Sequence, residues 1–477
     1  MSIAVRVIRN SIFILFARGA EFISAFFVLI AIARYLSVKE YGDYSFIIAY
    51  VSSIMALTYF GIQQITIREI AKDKVNANQY LGTAIQLRAV LSIIAALAVM
   101  VSVQFMNLPN LMVTAIIIGI FSEFFLTFSM LLKAVFQAFE KMIYEPILAL
   151  INSLVLLAGI AMGIYLDMGF LWLFIAILIS NAIHFIIAVY ILSSRFVRPF
   201  FNINRSAFRA FLKDSSIIGV GIFFYQNLFR IDVLMLKWLG RTEDVAFFQI
   251  PHSLIMYIGV VPASLTVAVF PVFSRLFNNE PSNRDAVFEK VFRCFFILSF
   301  IPAMFISLFS QEIIGVIFSS KYAQSVTALM IVAWAIIPLS MDIFLNSILI
   351  AMNKQKYSVI YGGVTLAMNF LAALVFIPRY GFIAAAYIAL LSYCLLFLCS
   401  LYVVARSGLP VVLDKILAKT VLSCLISGLT VFLLKPISIF LAIPVGIIMY
   451  LVLILMMNAF PIDKASLFKG ITGRVWQ

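Results

Sequence analysis

Apolar runs of about twenty residues or more recur along the whole chain, and they leave few folds open to it. A helix needs about 20 apolar residues to cross the hydrocarbon of a bilayer. Fourteen stretches meet that length, approximately 11–36, 44–67, 79–105, 111–136, 146–166, 170–193, 214–240, 246–274, 290–309, 323–352, 357–377, 381–404, 416–434 and 437–459. The chain is 64% hydrophobic and 11% charged, where a soluble domain is about 45–50% apolar and about 25% charged. No soluble core encloses so much apolar surface. The expected fold is an all-α polytopic membrane protein with about 14 transmembrane helices.

The net charge of +14 has an explanation in topology rather than in nucleic acid. If the N-terminus starts inside, 24 of the 34 lysines and arginines fall on the inner side and 7 on the outer. Arg18, Arg88 and Arg230 are left within spans. The positive-inside rule then places both termini in the cytoplasm of a multi-pass protein of the inner or plasma membrane. Arg6 and Arg9 precede the first run as in a signal peptide, but that run exceeds a 7–15-residue apolar core and shows no small-residue cleavage site, so it reads as a retained span. Cys294, Cys394, Cys399 and Cys424 lie in or beside apolar runs without metal spacing and read as small hydrophobes.

The chain repeats itself. Tyr35-Leu36…Glu40 returns as Trp238-Leu239…Glu243, Arg68 as Arg275, Ala138…Lys141…Tyr144 as Ala351…Lys354…Tyr357, and Gly169-Phe170…Ser180 as Gly381-Phe382…Ser392. The offset drifts slowly from 203 to 213. Each unit holds six spans, an even number, so the copies enter the membrane from one side as a parallel repeat. The expected organisation is an N-lobe of spans 1–6 (1–193), a basic cytoplasmic linker (194–213), a C-lobe of spans 7–12 (214–404), and spans 13 and 14 with a cytoplasmic tail (405–477). Phenylalanines alternate with arginines in the linker, as in a helix lying on an anionic leaflet.

Seven ionisable residues fall inside spans: Arg18, Glu21, Arg88, Glu123, Arg230, Asp232 and Asp342. Each costs roughly 2.5–3.5 kcal/mol at the bilayer centre on insertion scales, so each must face a partner or a cavity. Arg18 and Glu21, three apart, share a helix face and can pair. The repeat does not map these charges onto one another, which favours a cavity shaped for an asymmetric cargo. Guanidinium groups suit phosphate, because they stay charged and bind it in a bidentate way. Arg18, Glu21, Arg88, Glu123 and Arg230 are therefore the candidate cavity residues. Asp232 and Asp342 are candidates for counter-charge or for carrying H⁺ or Na⁺. Arg230 and Asp232, two apart, point to different sides unless the helix breaks there. Pro251, Pro262 and Pro271 make span 8 the candidate gating helix. No nucleophile motif, phosphate loop or paired metal carboxylates occur, so neither an enzyme nor a cofactor is expected.

Four stretches carry a family resemblance: Ala33-Arg34-Tyr35-Leu36…Glu40-Tyr41-Gly42-Asp43-Tyr44-Ser45 after span 1; Arg230-Ile231-Asp232-Val233-Leu234-Met235-Leu236…Leu239-Gly240 in span 7; Phe270-Pro271-Val272-Phe273-Ser274-Arg275 leaving span 8; and Ala351-Met352-Asn353-Lys354 closing span 10. With these the chain resembles the polysaccharide-biosynthesis, O-antigen-type flippases of the multidrug/oligosaccharidyl-lipid/polysaccharide exporter superfamily. The resemblance implies a two-lobed alternating-access carrier. Its cargo would be a lipid-linked oligosaccharide of polyprenyl-phosphate type, moved from the inner to the outer leaflet. Membrane lipids and glycan polymerase or ligase machinery would be its partners. The alternatives are a cation-coupled antiporter of drugs or small solutes on the same scaffold, and a membrane glycosyltransferase. The three arginines disfavour the first, and the lack of a sizeable outer loop disfavours the second.

Overall fold

A computed structural model describes residue 19 and residues 21–141, 143–200, 205–278, 284–410 and 413–459, and among these it contains helices and no strand. The order is α1 (21–35), α2 Val38–Met55, α3 Ile62–Lys72, α4 Ala77–Gln104, α5 Asn110–Ala138, α6 Tyr144–Tyr165, α7 Phe170–Arg195, α8 Arg205–Leu228, α9 Ile231–Leu239 and α10 Thr242–Ile258. It continues with α11 Val260–Asn278, α12 Arg284–Leu308, the single turn α13 Ser310–Ile313, α14 Ser325–Val332, α15 Ile336–Ala351, α16 Lys356–Arg406, α17 Leu413–Leu434 and α18 Ile439–Met456. Large apolar side chains such as Phe105, Phe432 and Phe440 stand exposed, as lipid-facing residues of a multi-pass membrane protein do.

Among the described residues, eleven helices are long and apolar enough to cross a membrane, and the bent pair α8–α9 makes twelve. That is fewer than the fourteen expected. Two expected runs, 357–377 and 381–404, are both carried by α16, whose 51 residues are interrupted at Gly381 (φ 55°, ψ −136°). Only a glycine adopts that conformation without strain. The first run lies partly outside the described residues.

The chain divides into two units. The first comprises Met1–Ile250, Ile317–Tyr322 and Gly362–Ala385; the second comprises Pro251–Val316, Ala323–Tyr361 and Ala386–Gln477. In the first unit α5 packs along α7, where the Asn181 amide donates to the Ser122 hydroxyl at 2.9 Å. Phe46, Val51, Met55, Val99, Ile116 and Phe174 form one of its cores. The helices approach closely where residues are small, as at Gly119 against Val51. Residues 205–213 of the expected linker are the first turns of α8. Phe211 there packs with Ile62, Leu87 and Leu131 instead of lying on a lipid surface. In the second unit Phe288, Phe295 and Phe344 stack, and the Tyr450 hydroxyl of α18 donates to the Ile297 carbonyl of α12 at 2.8 Å.

Candidate functional site

Spans 2 and 7 are both broken, and the breaks lie on one seam within the first unit. Span 2 was read as one apolar run. It stops instead at Met55, turns through a 3₁₀ stretch at Ala56–Thr58, and resumes as α3 after Phe60 (φ 29°) and Gly61 (φ 68°). A Cβ at Gly61 would meet the Ser215 carbonyl oxygen at 2.7 Å, and a Cβ at Gly219 would meet the Phe60 backbone at 2.7 Å. Two glycines thus let α8 lie against the turn. Span 7 breaks between Leu228 and Ile231 with a 50° bend.

Polar contacts run along this seam. At one end Lys237 Nζ pairs with Asp43 Oδ1 at 2.6 Å. In the middle the Asn227 amide donates to the Ser53 carbonyl at 3.4 Å and the Ser53 hydroxyl donates back to Asn227 Oδ1. At the other end Arg68 pairs with Asp214. The motif residue Glu40 has a local role: it closes a capping box with Ser37 at the start of α2.

Arg230 sits at the break of span 7, immediately before α9. Its Nη1 donates to the Ser52 carbonyl at 3.0 Å and to Gln226 Oε1 at 3.1 Å. It is part-buried, and among the described residues no carboxylate lies within ion-pair distance of it. Glu123 of α5 acts on it electrostatically without forming an ion pair. Arg88 of α4 is 0% exposed. It donates to the Thr127 carbonyl and, at 3.5 Å, to the Tyr59 carbonyl, and lies over the Tyr59 ring at 5.8 Å. Two arginines from different helices therefore hold the broken span 2, one wholly enclosed and one at the edge.

The remaining expected residues are spread more widely. Asp232, 2% exposed, takes a 3.5 Å hydrogen bond from the Asn369 amide on Oδ2, while its Oδ1 meets no donor among the described residues. Although span 7 breaks at Arg230, Arg230 and Asp232 still serve different neighbours. Asp342, 1% exposed, belongs to the second unit, close to Ser400 and Asn346, and its Oδ1 meets no hydrogen-bond partner among the described residues. Glu21 is exposed on α1, and Arg18 lies outside the described residues. In span 8 the helix is interrupted at Gly259, between α10, which holds Pro251, and α11, which holds Pro262 and Pro271. The chain passes from the first unit to the second at Pro251.

Sequence reasoning missed Tyr59 and Lys133. Tyr59 had a signal in the Phe60-Gly61 pair that follows it inside an apolar run. Lys133 lies within α5, in the electrostatic field of Glu145 and Glu21, and its own charge acts on His184. His184 is 1% exposed, and neither ring nitrogen meets a partner among the described residues. No group of three or more His, Cys, Asp or Glu side chains is placed to hold a metal among the described residues.

The sequence profile of the family described as polysaccharide biosynthesis protein matches residues 7–277, and that of MatE matches residues 218–375. No curated protein matches by sequence. Among solved structures, the chain is similar to the lipid II flippase MurJ in an inward closed conformation, with a TM-score of 0.76 at 16% identity over 93% of this chain and 98% of that one. It is also similar to a MOP superfamily transporter from Pyrococcus furiosus, with a TM-score of 0.61 at 15% identity over 84% and 95%. A third is the Vibrio cholerae MATE transporter VcmN in the bent form, with a TM-score of 0.55 at 15% identity over 83% and 98%. At these identities the likeness is one of fold. The proteins that share it are named as flippases and transporters, not as enzymes.

Proposed function

The chain belongs to the polysaccharide biosynthesis protein family, and from that premise we propose that it carries a lipid-linked oligosaccharide of polyprenyl-phosphate type from the inner to the outer leaflet for cell-surface polysaccharide synthesis. The observation that carries the reading is Arg230. A guanidinium at membrane depth is held by one backbone carbonyl and one glutamine oxygen, and no carboxylate is in contact with it. Neutral partners leave its charge available, and a phosphate would gain a charge-assisted, bidentate contact there. Glu123 supplies the balancing negative field while the site is empty. Arg18, on the run that precedes α1, is assigned to the same head group, with Glu21 as its counter-charge. Arg88 backs the broken turn at Tyr59.

The breaks support alternating access. Broken helices at membrane depth persist where they are buried in protein or line a water-filled cavity, and they concentrate bending at a few residues. The prolines of span 8 and the interruption at Gly259 are assigned to gating, and Asp232 and Asp342 to a coupling H⁺ or Na⁺ or to counter-charge. The two six-span lobes would rock about the bound head group while the lipid tail stays in the bilayer. Both termini are assigned to the cytoplasm by the charge bias.

The test is a leaflet-accessibility assay in cells depleted of the protein. Lipid-linked oligosaccharide should accumulate on the cytoplasmic face, be cleared by the wild type, and stay there with Arg230→Ala present at normal level. Normal surface glycan without accumulation would contradict the reading. The MatE match over 218–375 favours a second reading, a cation-coupled drug or solute antiporter. Drug resistance on overexpression that persists in Arg230→Ala would support that alternative.

A further inference from the structure

The two ends of α16 meet in the second unit and enclose a slot that the transport site does not use. Tyr357, Ile360 and Tyr361 from one end and Leu398, Cys399 and Tyr402 from the other line a space of about 310 Å³. That is the small end of the range for ligand pockets, roughly 300–1,000 Å³. Its walls are apolar and open sideways: Ile360 is 61% exposed, Leu398 56% and Tyr402 59%. A bilayer would place lipid against such a face.

The mouth of the slot is basic. Lys356 Nζ lies 5.4 Å from the ring centre of Tyr357, and the Arg406 guanidinium 5.4 Å from that of Tyr402. Both rings belong to the slot, so each cation is tethered to its wall. Lys354 Nζ bonds the Ser407 hydroxyl at 2.7 Å, a neutral partner. Among the described residues none of these three cations forms an ion pair with a carboxylate. The positive-inside bias puts this end of α16 at the cytoplasmic leaflet, where anionic lipid head groups are found.

We infer that the slot binds one anionic phospholipid of the cytoplasmic leaflet, its acyl chain between the ends of α16 and its phosphate between Lys356 and Arg406. The apolar walls alone would accept any chain, and the unneutralised cations select the head group. A tyrosine belt at the interface suits the chain–head-group boundary, because the rings are apolar in body and polar at the tip.

Native mass spectrometry of the full-length protein, titrated with phosphatidylglycerol or phosphatidylcholine, tests this. One phosphatidylglycerol should be retained in preference to phosphatidylcholine. Lys356→Ala combined with Arg406→Ala should weaken phosphatidylglycerol retention roughly 30-fold, the worth of two basic side chains at an anionic surface, and leave phosphatidylcholine unchanged. Ile360→Trp, which fills the slot and keeps the cations, should lose the bound lipid as well. Equal retention of the two lipids, or no effect of either variant, would overturn the inference. So would displacement of the bound lipid by a lipid-linked saccharide with no dependence on Lys356 and Arg406, since the slot would then hold the cargo's tail.

Discussion

The broken turn of span 2 is held from two sides, and the two arginines that hold it differ in one respect. Arg88 and Arg230 both donate to carbonyls of span 2, and neither has a carboxylate in contact among the described residues. Arg88 is completely enclosed between α4, α5 and the Tyr59 turn. Arg230 is only part-buried and stands where its own helix is broken. Enclosure makes the first a structural cation in this reading: its Nη1 and Nη2 donate to carbonyls, its Nε meets no acceptor among the described residues, and no ligand reaches it without opening the turn. Partial exposure makes the second the proposed site. On that proposal, charge at membrane depth marks function only when the group keeps an open side.

Four substitutions would break or sharpen that contrast, from the largest effect to the smallest. Arg88→Ala should act on the fold. It removes the bonds to Thr127 and Tyr59 and leaves a cavity, a loss of roughly 2–5 kcal/mol. The thermal midpoint in detergent and the amount of protein in the membrane should both fall. Arg230→Ala should lower both only slightly, through the lost bonds to Ser52 and Gln226, and reduce transport by roughly 10- to 100-fold, the value of a charge-assisted hydrogen bond, with Arg230→Lys recovering only part because it loses the bidentate geometry. Gly219→Val should push α8 off the Phe60 turn, costing about 1–3 kcal/mol by overpacking. Its transport loss should follow its stability loss. Lys321→Ala should cost least, about 1 kcal/mol. Lys321 Nζ donates to the Arg34 and Leu36 carbonyls at 2.9 and 2.6 Å, near the end of α1 and far in sequence from either arginine. A small drop in thermal midpoint with unchanged transport is the expected outcome.

Much of this was legible in the sequence, because membrane insertion writes its rules locally. Twenty apolar residues declare a helix, and the runs from 77 to 195 appear as helices close to where hydropathy puts them. The breaks were not legible. Span 2 reads as continuous because Tyr59 and Phe60 are as apolar as their neighbours. Only Gly61 marks the place, and a glycine in a membrane helix is ordinary. Arg230 was legible as an isolated charge, while its opposition to Asp232 could be expected from spacing only for an unbroken helix, which span 7 is not. That Arg88 is sealed while Arg230 is not depends on which helices pack against each, and no local pattern carries that. The surroundings of Lys133 are illegible for a related reason: Glu145 and Glu21, which act on it electrostatically, belong to other helices.

The most direct test of the account is flipping by the purified protein. Wild type, Arg230→Ala and Arg88→Ala would be reconstituted in vesicles holding a fluorescent polyprenyl-pyrophosphate oligosaccharide, and the fraction quenched from outside followed in time. The account predicts transfer by the wild type, transfer slowed roughly 10- to 100-fold in correctly folded Arg230→Ala, and transfer by whatever Arg88→Ala survives folding. Transfer by Arg230→Ala at the wild-type rate would contradict it.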